Sequence, residues 1–385
     1  MNIFHLCSTI LILLLPGFGI TKGQDYGYKP EKLPEILNDS LFSGTAINIA
    51  DKIYGFSGHN YSRFDFRNVS IDILKYQAFD IHTKWPDEGK LPEYFNPSDW
   101  LEKGKNPGLN INKLHRDGIT GKGISVAIFD KPINKNHKEI KDKIVYIPVD
   151  SRYTKEFQKN RIHFHGIGCA SILCGETTGV APDVKLYYFA VADDANNSYN
   201  YCLALEKLFI INDTLPENRK IKIVSISDNT QSKNWSSEIG DTYNRWKELE
   251  QEAKKRNISI IYSSLESAHK YFAGGGCPPF KNKELPDNYD YSTWVKSKRK
   301  IILPADFRTT ADNETDSTFT YHGEGGFSWA IPYLAGLAAL SLQINPDLEI
   351  EEIYKYLDES KYIKADGKYI VNPAKFIELI KKTTK

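Results

Sequence analysis

Near its C-terminal third the chain reads Gly325-Gly326-Phe327-Ser328-Trp329-Ala330-Ile331-Pro332-Tyr333-Leu334-Ala335-Gly336. Two glycines permit a tight, sterically open approach. A serine follows, at the mouth of an apolar run from Trp329 to Leu342. The run is apolar nearly all round, which predicts a buried helix. Pro332 is expected in its first turn, where a missing N–H costs little. A serine at the start of a buried helix has backbone N–H donors beside it and the positive end of the helix dipole behind it. That seat suits a nucleophile whose product is an oxyanion. Taken alone, the same serine is an ordinary N-cap. The residues that favour chemistry lie upstream.

Working toward the N-terminus, buried strands alternate with helical patterns. The apolar strands are Ile124 to Asp130, Val184 to Val191, Ile221 to Ser227, Ile258 to Ser264 and Lys300 to Ala305. Helical patterns cover His165 to Cys174, Tyr199 to Ile211 and Asp241 to Arg256, and surface helices follow at Leu348 to Leu357 and Pro373 to Lys381. This alternation predicts an α/β fold with a mostly parallel sheet covered on both faces. In such sheets, sites form beyond the carboxyl ends of the strands. Asp130 and Asp228 each sit at such an end. Gly118-Ile119-Thr120-Gly121-Lys122-Gly123 precedes its strand instead of following it, so it is a turn and not a phosphate cradle. A nucleotide-binding reading fails on that point.

Three polar residues share this kind of setting. Asp130 ends a buried strand, His165 opens a helix of small residues, and Ser328 opens the apolar helix. Acyl transfer needs a hydroxyl that attacks, an imidazole that takes and returns its proton, and a carboxylate that fixes the imidazole tautomer. The chain order Asp, His, Ser is one of the known orders for such a triad. His163 lies close by, but only His165 has Gly166 and Gly175 at the matching spacing. His137, His269 and His322 are read as ordinary structural or surface histidines.

The motifs resemble the subtilisin-like serine protease family (subtilase, peptidase S8). Gly326-Phe327-Ser328-Trp329-Ala330-Ile331-Pro332 is similar to the family's Gly-Thr-Ser-Met-Ala-x-Pro. His165 to Gly175 resembles its histidine block, and Gly179-Val180-Ala181-Pro182-Asp183-Val184-Lys185-Leu186 its continuation. Val126 to Ile133 resembles its aspartate block. The likeness covers roughly residues 112 to 360. It implies a three-layer subtilisin-like fold, and an endopeptidase using Asp130, His165 and Ser328 through an acyl-enzyme. It also implies that Ser225, Ile226, Ser227 and Asp228 bind an extended substrate by strand addition. Tyr188 to Asp193 would carry part of the upstream subsites. Gly274 and Gly275 fall where the family lines its primary specificity pocket, or else in a flexible surface loop. The resemblance calls for no cofactor and no catalytic metal. It admits a structural calcium ion, although no acidic loop identifies a site.

The oxyanion position departs from the family. An asparagine is usual there, but the strand runs Ile260-Ile261-Tyr262-Ser263-Ser264-Leu265-Glu266-Ser267, and Glu266 falls at that place. An ionised carboxylate would repel a developing oxyanion. Glu266 protonated, or Ser264, Ser267 or Asn229 donating in its stead, are the working alternatives. A weak or silent site that binds peptides is the other outcome.

The rest of the sequence bounds these readings. The chain has 385 residues, 41% hydrophobic, and a net charge of +1 with no long charged block. Nucleic-acid binding therefore has no electrostatic support. Residues 1–23 resemble a secretory signal around Ile10 to Leu15, too short for a comfortable membrane span. An exported protein is expected, membrane-anchored if that segment is retained. No other segment is read as spanning a bilayer. Residues 24–110 form an N-terminal extension, a propeptide or a wrapping arm, and residues 111–385 the peptidase-like domain. Cys169, Cys174, Cys202 and Cys277 permit two disulfides without showing them, and no pair has zinc-site spacing. A monomer acting on a protein or peptide substrate is expected.

Overall fold

Four consecutive residues of one strand show how the core divides. Val126 and Ile128 point to one face of the sheet, whereas Ala127 and Phe129 point to the other, and all are buried. Alternation with both faces apolar is what a strand between two helical layers requires. The computed structural model describes residues 60–384 apart from 64, 151–161, 192–196, 229–241, 265–266 and 297–298. The signal-like segment, residues 24–59 of the extension, Asn229 and Glu266 lie outside the described residues.

In chain order the helices are α1 (Ile71–Leu74), α2 (Pro97–Lys105), α3 (Ile111–Arg116), α4 (Phe164–Cys174), α5 (Asn197–Thr214), α6 (Thr242–Lys255), α7 (Ala268–Tyr271), α8 (Phe327–Ile344), α9 (Ile350–Ser360) and α10 (Pro373–Thr383). The strands are β1 (Ala78–Asp80), β2 (Ser125–Asp130), β3 (Ile144–Val149), β4 (Lys185–Val191), β5 (Ile221–Ile226), β6 (Ser259–Tyr262), β7 (Phe272–Gly276), β8 (Asp290–Tyr291), β9 (Ile301–Pro304), β10 (Arg308–Ala311), β11 (Phe319–His322), β12 (Tyr362–Ile363) and β13 (Tyr369–Ile370). The main sheet has the order β3-β4-β2-β5-β6 and every pairing in it is parallel. Helices α4 and α8 cover one face, with α10 packed behind α8, and α5 and α6 cover the other. A second sheet runs β12-β13-β9-β7-β8, and a third joins β1, β11 and β10.

Helix α8 is the central element, with Trp329 through Leu342 buried without a break. By length and apolarity alone it could cross a membrane, against the expectation that no such segment exists here; 83% of its apolar window is buried within the domain. Each large aliphatic side chain taken out of water there contributes about 1.5–3 kcal/mol. Pro332 is the sixth helical residue, in the second turn and not the first. Its missing N–H would have bonded the carbonyl four residues back, which belongs to Ser328. That carbonyl instead accepts the Ser227 hydroxyl at 2.9 Å.

The extension, from residue 60 onward, is part of the packed structure. Strand β1 pairs antiparallel with β11. Tyr61, Phe66, Leu74, Phe79, Phe95 and Trp100 form a core with Phe307 and Tyr321 of the main domain. Here Asp80 meets Asp312 and Glu314, their carboxylate oxygens within 4.8 Å of one another. Cys169, Cys174, Cys202 and Cys277 are all buried free thiols, so none of the permitted disulfides forms among the described residues.

Candidate active site

Strand β2 delivers Asp130 to the carboxyl edge of the sheet, where the side chain is 4% exposed. Both carboxylate oxygens lie 2.9 Å from His165 Nδ1. The Lys131 N–H donates to the same carboxylate at 2.8 Å. Burial works to raise the Asp130 pKa, but the His165 charge and these hydrogen bonds outweigh it and hold the carboxyl below its usual range. For His165, burial works downward, and the Asp130 charge more than reverses it, leaving the imidazole well above its ordinary 6.5. The ring remains 22% exposed, so it is reachable from solvent.

His163 prepares this geometry. It is the N-cap of α4, its Nδ1 accepting the His165 N–H at 3.1 Å. Of the two histidines, then, His163 shapes the backbone and His165 carries the carboxylate contact. His137 is fully buried and its Nε2 meets the Thr318 carbonyl. His322 is buried between Phe164 and Trp329. Burial and the neighbouring His165 charge drop its pKa to about 4, so it stays neutral. His269 packs against Phe327 at 4.4 Å between ring centroids.

Ser328 is the second residue of α8, and the N-cap is Gly326. The expectation of an N-cap serine is therefore corrected. Gly326 has φ of +67°, a left-handed conformation that favours glycine and turns the chain sharply into the helix. As a first-turn residue, Ser328 has a backbone N–H with no intrahelical acceptor and sits at the positive end of the dipole. Its side chain is partly exposed at the sheet rim. The hydroxyl donates to the Ser227 carbonyl at 3.3 Å, while the Ser227 hydroxyl returns a bond to the Ser328 carbonyl. Trp329 carries the link onward, its ring 5.5 Å from that of His165.

Cys169 completes the cluster, one helical turn after His165 on the same face. Its thiol donates to Ser227 Oγ at 3.3 Å and to the Ser328 carbonyl at 3.7 Å, and lies 3.9 Å from His165 Nδ1. In the sequence, Cys169 was weighed only for disulfide or zinc pairing. The i, i+4 spacing from His165 was the available signal.

Several expected binding residues are corrected. Ser225 and Ile226 are buried in β5, an interior strand hydrogen-bonded to β2 and β6 on its two sides. They have no free backbone edge for a substrate. Only Ser227 and Asp228 reach the rim, and Asp228 Oδ2 accepts the Tyr201 hydroxyl at 3.1 Å. Gly274 and Gly275 are neither a flexible loop nor exposed: they belong to β7, a buried strand between β9 and β8. Gly274 backs onto the Trp294 ring, and Trp294 stands 6.4 Å from Phe327. Tyr188, offered as an upstream subsite, is fully buried, its hydroxyl bonded to the Lys131 carbonyl at 2.5 Å. Ser264 is buried two residues past the carboxyl end of β6, where the oxyanion donor was expected.

Residues 121–268 match the model of the subtilase family. The chain is subtilase-like. The matched span holds Asp130 and His165 and ends before the Ser328 helix. Fervidolysin from Fervidobacterium pennivorans, a keratinolytic enzyme related to subtilisin, superposes with a TM-score of 0.50 at 14% identity, covering 70% of this chain and 45% of that one. The prenylagaramide maturation protease PagA gives 0.48 at 19% identity, over 70% and 98%. The PatG macrocyclase domain gives 0.46 at 13%, over 70% and 94%. No curated protein matches the sequence. With that family match, the chain is a three-layer α/β fold of subtilase type carrying an N-terminal extension.

Proposed function

We propose that this chain is an exported serine endopeptidase that cleaves peptide bonds through an acyl-enzyme. The observation that carries the reading is the 2.9 Å contact of the Asp130 carboxylate with His165 Nδ1, beside the first turn of the Ser328 helix. In this mechanism the Ser328 hydroxyl leaves the Ser227 carbonyl by rotation about its Cα–Cβ bond and turns to His165 Nε2. His165 takes its proton as the oxygen attacks the scissile carbonyl, and Asp130 steadies the imidazolium. His165 then returns the proton to the leaving amine, and water repeats the cycle on the acyl-enzyme. The Ser328 N–H, at the dipole's positive end, donates to the oxyanion.

A second reading is a silent relative that binds peptides in the same cleft. It is favoured by Glu266 standing where the family carries an asparagine donor. A fluorophosphonate probe separates the two. Labelling that disappears in Ser328→Ala supports the peptidase; folded protein that never labels supports the silent relative. Glu266→Asn is expected to leave turnover unchanged or raise it. N-terminal sequencing of the exported chain tests removal of residues 1–23.

A further inference from the structure

Arg308, on β10, is a guanidinium 1% exposed to solvent. Its Nη2 donates to the Thr178 carbonyl at 2.8 Å. Nε and Nη1 find no hydrogen-bond partner among the described residues, and neither does the hydroxyl of buried Tyr333. The two side chains lie together, the guanidinium carbon 5.9 Å from the Tyr333 ring centroid. The nearby carboxylate, Glu284, is occupied by the Asn106 side-chain amide and the Asn110 backbone N–H. A second cation lies alongside: Lys283 is buried, its Nζ donating to the Phe307 carbonyl at 2.8 Å. Burial, then the Arg308 charge, brings the Lys283 pKa down to about 7.

A buried charge without a counter-charge is costly, by several kcal/mol in real proteins. Water could satisfy the donors but would leave the positive charge uncompensated. Multivalent oxyanions would carry a larger desolvation cost than a single guanidinium repays. We infer that Arg308 and Tyr333, with Lys283 beside them, form a buried binding site for a small monovalent anion of the size of chloride. The anion takes an unpaired N–H of Arg308 and the O–H of Tyr333. Tyr333 belongs to α8 and Arg308 to β10 of the third sheet, so occupancy ties the Ser328 helix to that sheet. The inference concerns stability and does not rest on the peptidase reading.

The test uses the full chain at constant ionic strength, exchanging sodium gluconate, whose anion is too large to enter, for sodium chloride. The thermal midpoint is expected to rise with chloride and saturate. Tyr333→Phe should weaken the chloride midpoint about tenfold, the worth of one hydrogen bond to a charged group. Arg308→Met should abolish the response. Crystals grown in bromide should give an anomalous peak beside Arg308 and Tyr333. Equal thermal midpoints in the two salts would overturn the proposal, as would an unaltered chloride response in Tyr333→Phe. So would bromide crystals with no anomalous peak there.

Discussion

The sheet rim and the N-terminal arm both pack close to the Ser328 turn, and they do so by different physics. The rim brings polar groups: Asp130 and His165 at 2.9 Å, then Cys169, Ser227 and the Ser328 carbonyl. The arm brings aromatic rings. Phe79 stacks on Tyr321 at 4.8 Å, and Trp100 meets Phe95 edge-on at 4.8 Å. Its backbone also seats against the end of β11, just ahead of that turn. The Tyr321 hydroxyl donates to the Lys75 carbonyl, and a Cβ at Gly323 would fall 2.3 Å from Tyr76 Cα. The rim concentrates chemistry and the arm mechanical support. A peptidase active only after losing residues 60–105 would have to surrender that support.

The largest effect should come from the polar side. Asp130→Asn keeps the shape but removes the charge that fixes the His165 tautomer. Turnover on a peptide substrate should fall about 10⁴-fold. The pH dependence should change too. Since His165 is raised above 6.5, the free base, and with it kcat/KM, should emerge only above that pH. In Asp130→Asn the limb should move to lower pH, since the raising charge is gone. The stability linkage has the matching signs. The His165 contribution is complete below about pH 6.5 and fades as pH rises through the raised folded value. The Asp130 contribution is complete above about pH 3.9 and fades as pH falls through its depressed value. A limb that stays in place in the variant would show that another group titrates.

The next effect should come from the aromatic side. Trp100 is 1% exposed, and Trp100→Ala should cost about 3–5 kcal/mol of global stability. Chemical denaturation followed by hydrogen exchange at the β5 amides would report it, because β5 lies inside the main sheet. An unchanged midpoint at that probe would mean the arm unfolds separately, and the two regions would no longer be parts of one cooperative unit.

The same contrast governs what could be read from the sequence. The sheet half was legible because its signals are local. Apolar strands end in Asp130 and Asp228, and small residues follow His165 in one short block. The arm was not legible, because its core depends on contacts such as Phe79 with Tyr321, some 240 positions apart, and no periodicity announces them. Strand β7 escaped notice because Phe272-Ala273-Gly274-Gly275-Gly276 lacks the β-branched residues that mark strands. Pro332 was misplaced by a turn because the helix begins at Phe327, ahead of the serine. Ser225 and Ile226 were misread because a strand-addition reading needs a free edge, and pairing partners are a property of the fold.

The smallest effect sharpens the polar side. Cys169 touches His165, Ser227 and the Ser328 carbonyl, yet burial holds its thiol in the protonated form by raising its pKa. A neutral thiol can fill space and lend a weak hydrogen bond, but it cannot serve as a charge in the site. Cys169→Ala should therefore lower stability by about 1 kcal/mol, the loss of a small buried group and one weak bond. Turnover should drop less than tenfold, with the pH limb unmoved, because the Asp130–His165 contact survives. Differential scanning calorimetry and a pH profile on the same preparation would check both halves. A hundredfold loss in kcat at an unchanged thermal midpoint would give the thiol a positioning role for His165. The rim would then hold its imidazole from two sides, by the Asp130 carboxylate and by a sulfur one helical turn away.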